Sequence, residues 1–224
     1  VNSKNLVYQS FNLDNELTNV NPVKALISGK ITSDYIGKTV YLSNSVAASQ
    51  EWRIADVNHD GTVGTVDLFP KYCLFLSGDD YGISYRTDGD ANVYYKTSNV
   101  RTWLNRELYN GFSDEIKNII KAQEFSSNVD AGSIFGGILC DNIKCPSLTE
   151  LGLCGTCYGQ SNIIEGSIYP LFGSQISGQN PLASFKALSG NRYYSDYVWT
   201  RSRAKNSYTW SVYNGCPDYT VAKN

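Results

Sequence analysis

Methionine is absent from this 224-residue chain, histidine occurs once, and neither sign of charge is in surplus. With His59 the sole histidine, any scheme of histidine general-base catalysis has a single candidate. The 19 basic and 21 acidic side chains leave a net charge of −2, without the concentrated basic footprint that nucleic-acid binding needs. No apolar run approaches the ~20 residues of a membrane-spanning helix, and the N-terminal residues lack a signal-peptide pattern, so no membrane insertion is expected. Lacking methionine even at residue 1, the sequence reads as a processed product or a fragment. It holds no G-x-S-x-G, phosphate loop or dinucleotide fingerprint, and no internal repeat.

Tyrosine is abundant instead, with 17 residues, in a chain that is 42% hydrophobic and only 18% charged. That is a globular composition, and the length suits one large or two small domains. The aromatic residues crowd toward the C-terminus. There Tyr208, Trp210 and Val212 alternate with Thr209, Ser211 and Tyr213, the period of a half-buried strand. Asn214-Gly215 suits a tight hairpin, Asp218 to Ala222 returns, and Tyr197 to Ser202 reads as a preceding strand turned by Arg203-Ala204-Lys205-Asn206. Rigid amphipathic rings give contact area at low entropic cost, so this β-meander is the expected ligand surface. Its candidate contact residues are Tyr193, Tyr194, Tyr197, Trp199, Arg201, Arg203, Tyr208, Trp210, Tyr213 and Tyr219. The same pattern also suits an ordinary antiparallel sheet with one solvated face.

Further upstream, Asn21-Pro22 predicts a capped helix ending at Gly29, and residues 37–42 predict a strand. Trp52 to Ala55 and Val66 to Leu76 predict two core strands around a turn at residues 58–64. Ser98 opens a helix with Val100, Trp103, Leu104 and Leu108 on one face, and Ser113 opens a second. Ser147 and Glu150 form a capping box before a short helix. Trp52, Trp103, Leu104 and Leu151 are expected in the core. Residues 1–48 are polar enough to predict an N-terminal attachment arm, with the main module at residues 49–224.

Three constellations could carry chemistry. Asp56, Asn58, Asp60, the Thr62 carbonyl and Asp67 fall at positions 1, 3, 5, 7 and 12 of a calcium loop with Gly61 at the sharp turn. The loop resembles that of dockerin modules, although position 12 is Asp rather than Glu, and the same residues also suit a plain hairpin. Calcium is therefore the cation expected if the chain takes one. Cys140, Cys145, Cys154 and Cys157 would permit a zinc site, but the loose first spacing and the capped segment between the pairs disfavour it. Asp79, Asp80, Asp88 and Asp90 offer paired carboxylates, in a Gly/Asp/Tyr loop where solvated turn residues are the rule.

Taken together, Tyr197-Val198-Trp199-Thr200-Arg201-Ser202 with the later Tyr-Thr-Trp-Ser-Val-Tyr-Asn-Gly run resembles the ending of DUF6273-type and FISUMP-like modules. Trp103-Leu104-Asn105 and the Pro146-Ser147-Leu148-Thr149-Glu150-Leu151 segment match the same group. The run from Trp52 to Gly61 is similar to one in such proteins of tailed phages of gut Firmicutes. The resemblance implies an α+β, C-type-lectin-like fold with antiparallel sheets, two or three helices and long loops. Such modules continue into a last strand that this sequence does not show. It further implies a non-enzymatic protein of the virion surface, in capsid decoration, a head fibre or a tail fibre. Its expected partners are other virion proteins through the N-terminal arm, further copies of itself in a homo-oligomer, and a host surface glycan or protein. The alternatives are a calcium-dependent bacterial adhesion module and a glycan hydrolase using the loop carboxylates.

Overall fold

The computed structural model describes residues 12–47, 49–71, 74, 94–127, 137–152, 165–173, 198–205, 208–213 and 216–221; beyond residue 197 it describes side chains only for Thr200, Arg201 and Ser202. Among these residues the fold is α+β, with three antiparallel sheets and a few short helices. The chain enters through α1 (Leu13–Asn15), which continues as a wide turn over Glu16–Val20, and α2 (Pro22–Ile27). Asn21 caps α2 as its sequence predicts, its side-chain oxygen accepting the Lys24 N–H at 2.8 Å. Past the helix, Gly29 takes a φ of +69°, which a side chain would oppose.

The first sheet has the order β1 (Thr39–Tyr41), β2 (Glu51–Val57), β3 (Val66–Pro70). Val40 pairs with Trp52, and Ile54 with Leu68, so the apolar residues of β2 share one face with their partners. A register shift follows Ile54. It marks a bulge at which Ala55 is buried too, its carbonyl accepting the Leu171 N–H. The boundary expected at residue 48 falls between β1 and β2, which are paired neighbours. Leu13, Leu17, Val23, Ala25 and Val40 lie in the same apolar core as Ile54, Leu104 and Leu108.

Next come α3 (Asn99–Trp103), widening into a turn over Leu104–Leu108, and α4 (Asp114–Lys117). Ser98 and Ser113 cap them as their sequence predicts, accepting from the N–H groups of Arg101 and Ile116. Of the four expected core residues, Trp52, Leu104 and Leu151 are buried, whereas Trp103 packs on the core only partly covered. Asn44 fastens the first sheet to this helix: its side chain donates to the Leu108 carbonyl and accepts the N–H groups of Val46 and Ala47. A Cβ on Gly111 would come within 2.4 Å of Asn44 Oδ1, so only glycine fits there.

The second sheet pairs β4 (Gln123–Ser127) with β5 (Gly137–Asp141). Asn105, the last residue of the Trp-Leu-Asn run, bridges α3 to the end of β5, donating to the Ile143 carbonyl and accepting the N–H groups of Asn142 and Ile143. Arg101 adds a forked pair to Asp141, with Nη2–Oδ1 at 2.6 Å and Nε–Oδ2 at 2.8 Å. The third sheet is the meander β6 (Val198–Lys205), β7 (Tyr208–Tyr213), β8 (Cys216–Val221). The sequence places β7 correctly. The turn expected to begin at Arg203 is displaced, because β6 runs on to Lys205 through register shifts beside β7.

Candidate functional site

Arg201 was expected on the contact surface, and the structure corrects that. It is 1% exposed, among the largest fully buried side chains described. Strand alternation would put Arg201 on the face opposite Thr200 and Ser202, yet all three are buried, so β6 is covered on both sides there. The reason is a charge partner distant in sequence. Arg201 Nη1 and Nη2 grip the two oxygens of Glu150 at 2.5 and 2.8 Å. Nη1 also donates to the Cys145 carbonyl, Nη2 to the Glu165 carbonyl, and Nε to the Ser126 carbonyl. Every guanidinium nitrogen thus has an acceptor, the condition under which a buried charge is tolerated.

Glu150 is shared. The capping box of the sequence is present, with the Glu150 N–H on Ser147 Oγ and the Ser147 N–H on Glu150 Oε2, both at 3.0 Å. The expected helix is a single turn, and the same carboxylate carries Arg201 and the Lys144 ammonium at 2.8 Å. Phe125 lies under both cations, 5.1 Å from the Arg201 guanidinium and 5.6 Å from Lys144 Nζ. Burial alone would raise the Glu150 carboxyl. The charge and hydrogen bonds of Arg201, with those of Lys144, outweigh it and hold the group below the usual carboxylate range. Around this pair, Ser202 Oγ donates to the Glu165 carboxylate and accepts the Leu148 N–H, and the Arg201 N–H meets the Pro146 carbonyl. The Thr-Arg-Ser and Pro-Ser-Leu-Thr-Glu-Leu segments therefore form one buried latch that ties β6 to the core.

A second polar cluster occupies the β2–β3 turn. Each proposed calcium ligand already serves a protein group. Asp56 accepts its neighbour Val57 N–H and holds His59 Nδ1, Asn58 Oδ1 accepts the Gly64 N–H, and the Thr62 carbonyl accepts Thr65 Oγ1. Asp60 accepts from Ser167 Oγ, and Asp67 Oδ1 accepts Gln123 Nε2 at 2.9 Å. Asn58 and Asp60 adopt left-handed conformations, at φ of 60° and 49°. Burial raises the Asp67 carboxyl, against the lowering hydrogen bond from Gln123, and its Oδ2 is buried without a hydrogen bond. Among the described residues no group of three or more His, Cys, Asp and Glu side chains is placed to hold a metal.

Of the other expected site residues, Trp199, Arg203, Tyr208, Trp210, Tyr213 and Tyr219 lie on β6–β8, where the register sets Trp210 opposite Tyr219 and Trp199 opposite Ser211. Tyr193, Tyr194 and Tyr197 lie outside the described residues, as do the Asp79, Asp80, Asp88 and Asp90 loop and Cys73, Cys154 and Cys157. Cys140 is an exposed free thiol; Cys145 is buried, and desolvation pushes its thiol up to about 12, which makes it inert. Sequence reasoning missed Lys144 and Glu165, and read Glu150 only as a cap. The available signal was that Glu150 and Arg201 both stand in the short segments that carried the family resemblance.

No curated protein and no solved structure matches the chain. The family model described as a domain of unknown function, DUF6273, matches residues 43–216, a span that takes in β2 to β7 and the first residue of β8, with β1 just before it. The chain belongs to the DUF6273 family.

Proposed function

We propose that this chain is a non-enzymatic binding and structural module, C-type-lectin-like in architecture, whose C-terminal sheet contacts a surface glycan or protein. The latch carries this reading. The densest polar chemistry described, Arg201 with Glu150, Lys144 and Glu165, is closed off inside the protein, with its hydrogen bonds directed to holding β6 in place. A sheet fixed in this way is a stiff platform, and stiffness lowers the entropic cost of contacts made by its aromatic residues. The virion surface, with neighbouring virion proteins and further copies of the chain as partners, is the setting that the signature segments suggest.

Alanine at Tyr194, Arg203 and Tyr213 tests the reading, with folding checked by circular dichroism. Aromatic and arginine anchors cost about 1–2 kcal/mol or more each on truncation. Weaker adsorption to host cells or to immobilised glycan is the expected result. Unchanged adsorption and particle assembly for all three variants, or turnover of a glycan by the purified chain, would overturn it.

A further inference from the structure

We propose that the β2–β3 turn binds a divalent transition-metal cation through His59 Nε2 and Asp60 Oδ2, a site that shares Asp60 with the expected calcium loop but adds an imidazole nitrogen. His59 is 5% exposed and lies against Tyr169, with ring centroids 4.3 Å apart. Its Nδ1 is 2.7 Å from Asp56 Oδ2. A carboxylate only accepts, so Nδ1 donates to Asp56, which leaves Nε2 as the ring nitrogen available to a ligand. Among the described residues that nitrogen is buried without a hydrogen-bond partner, and it faces Asp60 Oδ2 at 3.4 Å. An imidazole nitrogen and a carboxylate oxygen thus face each other across a gap that a cation would bridge.

Metal–ligand bonds of about 2.1 Å to both atoms across the 3.4 Å separation subtend about 108°, close to the tetrahedral angle. Imidazole with carboxylate suits zinc, nickel or copper rather than calcium. The Asp56 carboxylate behind the ring is the outer partner that a metal-ligating histidine ordinarily has, fixing its tautomer and orientation. Asp60 is positioned from its other side by Ser167 Oγ, and its backbone is held left-handed at φ 49°. Its side chain is 48% exposed, which gives an ion access from solvent and leaves water to complete the coordination shell.

The test is titration of the full chain with Co²⁺ and Zn²⁺ at neutral pH, after alkylation of exposed thiols such as Cys140. One site per chain is expected, read by cobalt absorption and calorimetry and not displaced by equimolar Ca²⁺. Asp60→Asn, a change at an exposed side chain, should weaken binding at least tenfold, and His59→Gln should abolish it. Absence of binding, or equal binding by Asp60→Asn, would overturn the site. So would nitrogen NMR showing both His59 ring nitrogens protonated at neutral pH, because a proton would then fill the gap.

Discussion

The latch beneath β6 and the turn between β2 and β3 are both buried polar clusters, and they are finished to different degrees. In the latch, Arg201, Glu150 and Lys144 meet partners on every side. In the turn, His59 Nε2 and Asp67 Oδ2 are buried without hydrogen bonds among the described residues, and two non-glycine residues carry left-handed backbone. A saturated cluster positions chain segments and has no remaining capacity for a ligand. An unsaturated, strained one raises local energy, and strain of that kind persists where the surroundings or a function require it. The family's signature segments build the first kind.

The largest effect separating the two should come from removing one side of the latch. Glu150→Ala leaves Arg201 buried and uncompensated, a loss of about 3–5 kcal/mol. Asp60→Ala in the turn, a half-exposed carboxylate, should cost far less. Urea unfolding of both variants checks this, and equal costs would erase the distinction. The glycines come next. Gly166, at φ +82°, would place a Cβ 3.0 Å from Glu150 Oε1, whereas Gly64, at φ +77°, would meet nothing within 4 Å. Both alanine variants pay backbone strain of about 1–3 kcal/mol, and Gly166→Ala adds pressure on the latch. Its thermal midpoint should therefore fall further than that of Gly64→Ala.

Acid separates the clusters by sign. Glu150 has a folded pKa below its unfolded value. Its stabilisation is full above about pH 4.3 and is lost as pH falls through the folded value. Asp67 is shifted upward by burial, so its cost is full above its folded pKa and fades toward the unfolded value of about 3.9. Asp67→Asn should accordingly raise the urea midpoint slightly at neutral pH and lose that advantage at low pH. This is the smallest of the effects, and a fall in midpoint at neutral pH would contradict it.

Local chemistry was legible in the sequence. The Asn21, Ser98 and Ser113 caps, the Ser147–Glu150 box and the whole of β7 depend on residues a few positions apart, and the structure reproduces them. What was not legible depends on pairs far apart. Arg201 reads as a contact residue from the aromatic and Arg-rich composition of the meander because its partner Glu150 lies 51 positions away. Residues 1–48 read as an attachment arm because their apolar positions are sparse; Leu17 and Ala25 among them lie in one core with Ile54 and Leu108, contacts that local patterning does not register. The oxygens at residues 56–67 have calcium spacing, and the structure adds their protein partners, neighbouring N–H groups, His59, Ser167 and Gln123, which spacing does not register.

The central claim is that Arg201 and Glu150 form a single coupled structural unit. A double-mutant cycle with Glu150→Gln, Arg201→Met and the paired variant, followed by urea unfolding at neutral pH, measures that coupling directly. Residues in one buried network couple by about 0.5–3 kcal/mol, and the upper part of that range is predicted here, with the paired variant more stable than the sum of the single losses requires. Additive losses would show that the two residues act independently, and the latch would not exist as a unit.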